Sequence, residues 1–199
     1  MKFTNNQKKV TYIYIGILIL LFLYALKNTS YFVRVSTFLF SILLFYITDL
    51  FFKLKFKNYH YLIFILTSAA GILMSPLYFI STNYDKILHL ISPILLSILI
   101  FYLADKTNLK FSTKLLITFS VILSFLALFE IGEYLLDLLF DLKLQGVFLR
   151  DISGISKLRI IMDRNDDTMI DLILGAIGSL IFTTYKTIIF NFKKLKKKK

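Results

Sequence analysis

Six apolar stretches, each long or nearly long enough to cross a bilayer as a helix, constrain this chain more than any other feature. They occupy residues 12–26, 31–52, 61–80, 87–104, 115–136 and about 168–190. A hydrocarbon core about 30 Å thick needs roughly 20 apolar residues of α-helix, because each residue adds about 1.5 Å. In lipid, backbone polar groups find partners only in helices or closed barrels. The expected class is therefore all-α: a polytopic integral membrane protein with six transmembrane helices in one membrane domain, 1–199, of which 191–199 form a basic tail. Composition agrees, since 57% apolar residues in a 199-residue chain exceed what a soluble domain uses. A cysteine count of 0 removes disulfides, thiolate metal sites and cysteine nucleophiles together.

A net charge of +12 taken alone suggests nucleic acid, but the positions of the charges point to a membrane. Sixteen of the 24 Lys and Arg residues fall on one side of the alternating stretches. They are Lys2, Lys8 and Lys9, then Lys53, Lys55 and Lys57, then Lys106, Lys110 and Lys114, then Lys186 and the tail from Lys193. The positive-inside rule places that side, and both termini, in the cytoplasm. The tail lysines then anchor the chain near anionic headgroups. Membrane lipids are the expected partners, and nucleic acid is not. The first stretch follows three lysines as a signal peptide would. It is longer than a signal h-region, however, and no small-x-small site follows at Ala25-Leu26-Lys27, so it reads as a retained span.

Ionisable side chains inside a span are costly and mark sites by default. The first three stretches hold few. Arg34 and Asp49 lie near ends, where side chains snorkel to the interface, and His60 opens the third stretch. The last three differ. The fourth opens Asp85-Lys86-Ile87-Leu88-His89, and Asp85 and His89, four apart, share a helical face. The fifth carries Glu130, Glu133 and Asp137, with Asp141 beyond, all within about 80° on a helix turning about 100° per residue. The sixth carries Asp167 and Asp171 on one face, continued by Gly175 and Gly178, which let a neighbouring helix approach closely. With Lys114 at the inner boundary, about 20 residues of helix reach the outer boundary near Tyr134. The acids of all three spans are therefore expected at one depth, in the outer leaflet or at its edge.

Carboxylates crowded at low dielectric need protons, Lys or Arg partners, or a metal ion. One His among several carboxylates is a hard, mixed donor set that suits Mg²⁺ or Mn²⁺, with Zn²⁺ admitted through His89. His89, Asp167 and Asp171 are the expected ligands of one divalent ion. Glu133 is the expected general base, with Glu130 and Asp85 as further catalytic candidates. Such a site serves a metal-dependent hydrolase or transferase acting on a lipid-linked or amphiphilic envelope substrate. Two alternatives use the same residues: a proton- or cation-coupled transporter, and a non-catalytic network in which Lys86, Arg150 or Arg164 neutralises the acids. Transport ranks below catalysis because it needs a polar path across the membrane, and residues 95–104 and 178–190 are nearly all apolar or small. Neither H-E-x-x-H nor a Gly-rich phosphate loop ending in Gly-Lys-Ser/Thr occurs. The loop 142–162 mixes apolar residues with Lys143, Arg150, Lys157 and Arg159. It reads either as a connector or as an interfacial lid whose cations attract a phosphate headgroup.

Asp85-Lys86-x-x-His89, Glu130-x-x-Glu133, and Asp167-Thr168-x-x-Asp171 followed by Gly178 resemble the YjdF-type inner-membrane proteins, whose motif layout is similar to that of VanZ-like proteins. The resemblance spans about residues 80–182. One departure is Ser92-Pro93 after the histidine, where a bend in the fourth span is expected. The resemblance implies a multi-pass protein of the bacterial cytoplasmic (inner) membrane with a polar site made by these residues. It supplies no reaction, although VanZ-like relatives point to envelope or lipopeptide-antibiotic biology.

Overall fold

A computed structural model describes residues 15–17, 19, 29–150 and 158–196. It is mostly helical, and its long helices are those the apolar stretches demand. Residues 15–17 and 19 are helical. The remainder of the stretch expected over 12–26 lies outside the described residues, as do 151–157 of the long loop and 197–199 of the tail.

The described residues form two compact units, those up to 57 with 64–74, and 58–63 with those from 75 onward. In the first, α1 (Thr29–Phe51) is an apolar helix with no acidic residue in its first turn and no basic residue in its last. Asp49 near its end accepts a hydrogen bond from the Phe56 N–H at 3.2 Å and closes the connection that follows. Phe45 stacks on Phe64 and Phe56 with ring centroids 4.2 and 5.0 Å apart. Arg34 stays near the helix start, its guanidinium 5.9 Å from the Tyr31 ring centroid. The third apolar stretch is not one continuous helix. It runs as α2 (Asn58–Ser68), one π-helical turn over Ala69–Leu73, and a 3₁₀ turn over Ser75–Phe79. Pro76, which lacks an N–H and restricts Ser75 before it, accounts for the break.

The second unit is built on three long helices: α3 (Tyr84–Asp105), α4 (Phe111–Phe140) and α5 (Arg164–Lys196). At about 1.5 Å per residue these measure roughly 33, 45 and 50 Å, each enough to cross a bilayer core. With α1, they make four helices long and apolar enough to cross among the described residues, and Asn58–Leu73 is a shorter apolar segment. Helices α4 and α5 exceed the expected spans at both ends because the polar flanks continue the helix. Helix α3 continues through Pro93. Leu116, Phe125, Leu128 and Leu139 each expose more than half their surface, while Glu130, Asp137, Asp167 and Asp171 are at most 5% exposed. Apolar outside and polar inside is the arrangement that lipid as solvent selects.

The start of α5 is capped by Asp163, whose Oδ1 accepts the Asp166 N–H at 2.9 Å. Helix α4 ends at Asp141 in the left-handed conformation (φ 51°), its N–H bonded to the Asp137 carbonyl at 2.9 Å. Beyond it the all-α expectation meets one exception. Val147–Arg150 (β1) and Leu158–Met162 (β2) pair as an antiparallel hairpin, with a register irregularity between Val147 and Phe148. Val147 and Phe148 are buried, and β1 packs on the 3₁₀ turn. Val147 and Phe148 in one strand and Ile160 and Ile161 in the other are β-branched or aromatic and suit this pairing.

Candidate functional site

Seam contacts first bring the three helices together. Asp167, Asp171, Gly175, Gly178, Ser179 and Phe182 make one buried stripe along α5. A Cβ on Gly178 would run into the backbone carbonyl of Leu90 on α3, and one on Gly175 into the Leu126 side chain of α4. Glycine at 178 is thus what lets α5 lie directly against the α3 backbone, about two turns beyond Asp171. His89, Pro93, Ser97 and Phe101 form the facing buried positions of α3.

At the end of this seam Lys86 sits among three aspartates. Its Nζ donates to Asp171 Oδ1 and Oδ2 at 2.8 Å each, to Asp85 Oδ2 at 3.1 Å, and in a closer contact to Asp167 Oδ1. The other oxygen of Asp85 faces His89 Nε2 at 3.4 Å, and His89 Nδ1 lies 3.9 Å from Glu130 Oε1. One ligand atom each from Asp85, His89 and Asp171 lie within 4.8 Å of one another. Two donors at 2.0–2.6 Å from a shared ion are at most about 5 Å apart, so the spacing fits a single metal ion. The difficulty is equally concrete: Lys86 already uses both oxygens of Asp171 and one of Asp85.

A second layer of bonds ties the connection after α4 to the same acids. Asp137 accepts the Leu144 and Gln145 N–H groups at 2.8 and 3.0 Å. Gln145 Nε2 donates to Thr168 Oγ1 at 3.0 Å, and the Gly146 N–H donates to Asp167 Oδ2 at 2.7 Å. Gly146 has φ +90°, and a Cβ there would press on Phe148 and the Met162 carbonyl, so glycine is required. Asp167 therefore joins Lys86 to the base of the hairpin. Asp141 is outside this arrangement. The Lys143 ammonium beside it, helped by Arg164 at 3.9 Å, holds its exposed carboxyl below the usual carboxylate range.

The expected residues thus separate by place. Asp85, His89, Glu130, Asp167 and Asp171 come together. Glu133, half-buried, lies within electrostatic reach of Glu130, Asp85, Asp171 and Asp167, with no hydrogen bond or ion pair to them among the described residues. Asp137 and Asp141 serve the turn. Of the three candidate neutralising cations, Lys86 enters the cluster, Arg164 pairs with Asp141 alone among the described residues, and Arg150 is exposed on the hairpin. His60 is fully buried, its ring centroid 4.2 Å from that of Tyr102. Sequence reasoning missed Gln145 and Tyr78, the latter within electrostatic reach of Asp85, Glu133 and Asp171. It also missed Ser97 and Ser179, both fully buried near the middle of α3 and α5. A serine within an apolar run carries no sequence signal of this kind, because its hydroxyl ordinarily bonds its own helix.

One protein-family model, described as predicted membrane protein (DUF2238), matches residues 9–192. No curated protein and no solved structure matches the chain.

Proposed function

The chain belongs to the DUF2238 family of predicted membrane proteins, and from that premise we propose that its three-helix cluster is a divalent-cation site acting on a lipid-linked or amphiphilic envelope substrate by hydrolysis or transfer. The observation that carries this reading is the convergence of Asp85, His89 and Asp171 ligand atoms within 4.8 Å on two helices, in a buried setting. Donors of this kind at this spacing suit Mg²⁺, Mn²⁺ or Zn²⁺. Glu130 carries a buried Oε1 with no hydrogen-bond partner among the described residues, 3.9 Å from His89. That makes it a proton acceptor beside the ion, with Glu133 one turn further as the second carboxylate. Asp167, held by Lys86 and the Gly146 N–H, supports the ligands and does not bind the ion.

Location follows from the ends of the helices. The cluster lies at the starts of α3 and α5 and in the second half of α4. Lys106, Lys110 and Lys114 surround the opposite turn, and Lys193, Lys194 and Lys196 end α5. The positive-inside rule therefore supports an outward-facing site in a bacterial-type cytoplasmic membrane, with six spans and cytoplasmic termini. The motif order supports the finer YjdF-type, VanZ-like kinship.

A second reading has its own observation. Lys86 contacts three aspartates at once, which is what an internal, non-catalytic counter-ion does. Metal analysis and thermal unfolding of purified protein separate the two. The cation reading expects a bound ion near one per chain, stabilisation by Mg²⁺, Mn²⁺ or Zn²⁺, and loss of both in Asp171→Asn. A metal-free protein whose melting ignores all three ions leaves the counter-ion network standing instead.

A further inference from the structure

Away from the acid cluster, two hydroxyls lie at the α3–α5 seam under conditions that a dry helix interface does not tolerate. Ser97 and Ser179 are both 0% exposed, and neither Oγ has a hydrogen-bond partner among the described residues. Several other hydroxyls in α4 and α5 donate to a carbonyl of their own helix. Thr118 bonds Lys114 at 2.8 Å, Ser124 bonds Ser120 at 2.9 Å, and Thr187 bonds Thr183 at 2.8 Å. Ser97 and Ser179 have the same option, with the carbonyls of Pro93 and Gly175 four residues back, and do not take it. Ser97 lies between Pro93 and Phe101 on the buried face of α3, and Ser179 between Gly178 and Phe182 on that of α5, so both belong to the stretch of seam bracketed by the Gly178–Leu90–Pro93 contact and by the Phe101 and Phe182 rings, whose centroids are 5.9 Å apart.

We propose that Ser97 and Ser179 form a second polar site, which holds a buried water molecule bridging the two hydroxyls. An unmet hydroxyl in a low-dielectric interior is costly, and two facing one seam supply the two to four polar partners a buried water needs. The second lone pairs of the Pro93 and Gly175 carbonyls are further acceptors within one turn. The lining selects water over a metal ion. The bracketing side chains are apolar, and the far end is closed by Lys186, whose Nζ lies 4.7 and 5.5 Å from the Phe101 and Phe182 ring centroids. A positive charge there repels a cation and leaves a neutral ligand unaffected. The site puts an exchangeable proton carrier near the middle of α3 and α5, where the residues around these two serines are nearly all apolar or small.

The test does not depend on any metal at the acid cluster. A structure of the purified protein at a resolution that shows ordered water is expected to place one oxygen within about 3.2 Å of both hydroxyls. Ser97→Ala and Ser179→Ala, each a loss of one oxygen in a helix-favouring direction, are expected to lower Tm by about 2–4 °C apiece. Two dry, unpartnered hydroxyls would give the opposite sign, since removing an unmet polar group raises Tm. That result overturns the proposal, and so does a direct Ser97–Ser179 hydrogen bond with no water between them.

Discussion

At the scale of single residues, Lys86 decides how the cluster is to be understood. It is the cation in contact with Asp85, Asp167 and Asp171, and Asp171 gives it both oxygens. Removing one member of a buried charge network typically costs about 3–5 kcal/mol, because the remaining charges stay buried without compensation. Lys86→Met is therefore expected to lower thermal stability sharply in metal-free buffer. If Asp85, His89 and Asp171 also take a divalent ion, the same variant binds it at least about tenfold more tightly, since the competing ammonium is gone. Calorimetric titration with Mg²⁺, Mn²⁺ and Zn²⁺ checks this, and equal affinity in wild type and variant rules out competition. The sequence made some of these placements legible. Asp85 with His89, and Asp167 with Asp171, share faces because the helical period fixes them at a spacing of four. It could not separate Glu130 from Asp137, which lie on the same side of α4. Asp137 is used by the N–H groups of Leu144 and Gln145, and those reach it only because Asp141 turns left-handed.

At the scale of elements, two contacts carry distinct expectations. Gly178→Ala sets a methyl group against the Leu90 carbonyl, a backbone atom that cannot swing aside, so α3 and α5 must separate. The variant is expected to lose stability by roughly 1–3 kcal/mol, the usual range for overpacking. Gly132→Ala on α4 is its control. Nothing lies within 4 Å of a Cβ there, and relief of glycine's low helix propensity is expected to be neutral or to gain up to about 1 kcal/mol. Melting curves of the pair distinguish a seam effect from a general intolerance of alanine. The second contact is the latch under the hairpin. Asp137→Ala frees the Leu144 and Gln145 N–H groups together, so faster amide exchange is expected across 144–150, with α3 amides unchanged. Uniform acceleration over the whole molecule would mean that Asp137 holds the fold and not the hairpin. The helices were readable from hydropathy alone. The hairpin was not, because it depends on pairing between segments and on one glycine with positive φ, which hydropathy does not encode.

At the scale of the whole molecule, the chain's 0 cysteines make orientation directly measurable. Asn165→Cys, beside the cluster, is expected to react with a membrane-impermeant maleimide added to intact cells. Lys110→Cys, in the turn between α3 and α4, is expected to react only after permeabilisation. Labelling of both from one side would remove the crossing of α4 from the topology. The charge network also has a history in time. Lys86 is separated by 81 residues from Asp167 and by 85 from Asp171. At about 5–20 residues per second, a ribosome needs roughly 4–17 s to supply the second set of acids after the lysine has emerged. During that interval α3 must wait with its ammonium satisfied only by Asp85 and by water or headgroups. Placing the charged residues in the opening turns of α3, and not at its middle, lets them rest at the membrane surface until α5 arrives. Insertion and docking are thereby separated into two steps, and the lysine is drawn into the protein interior only when its later partners have been synthesised.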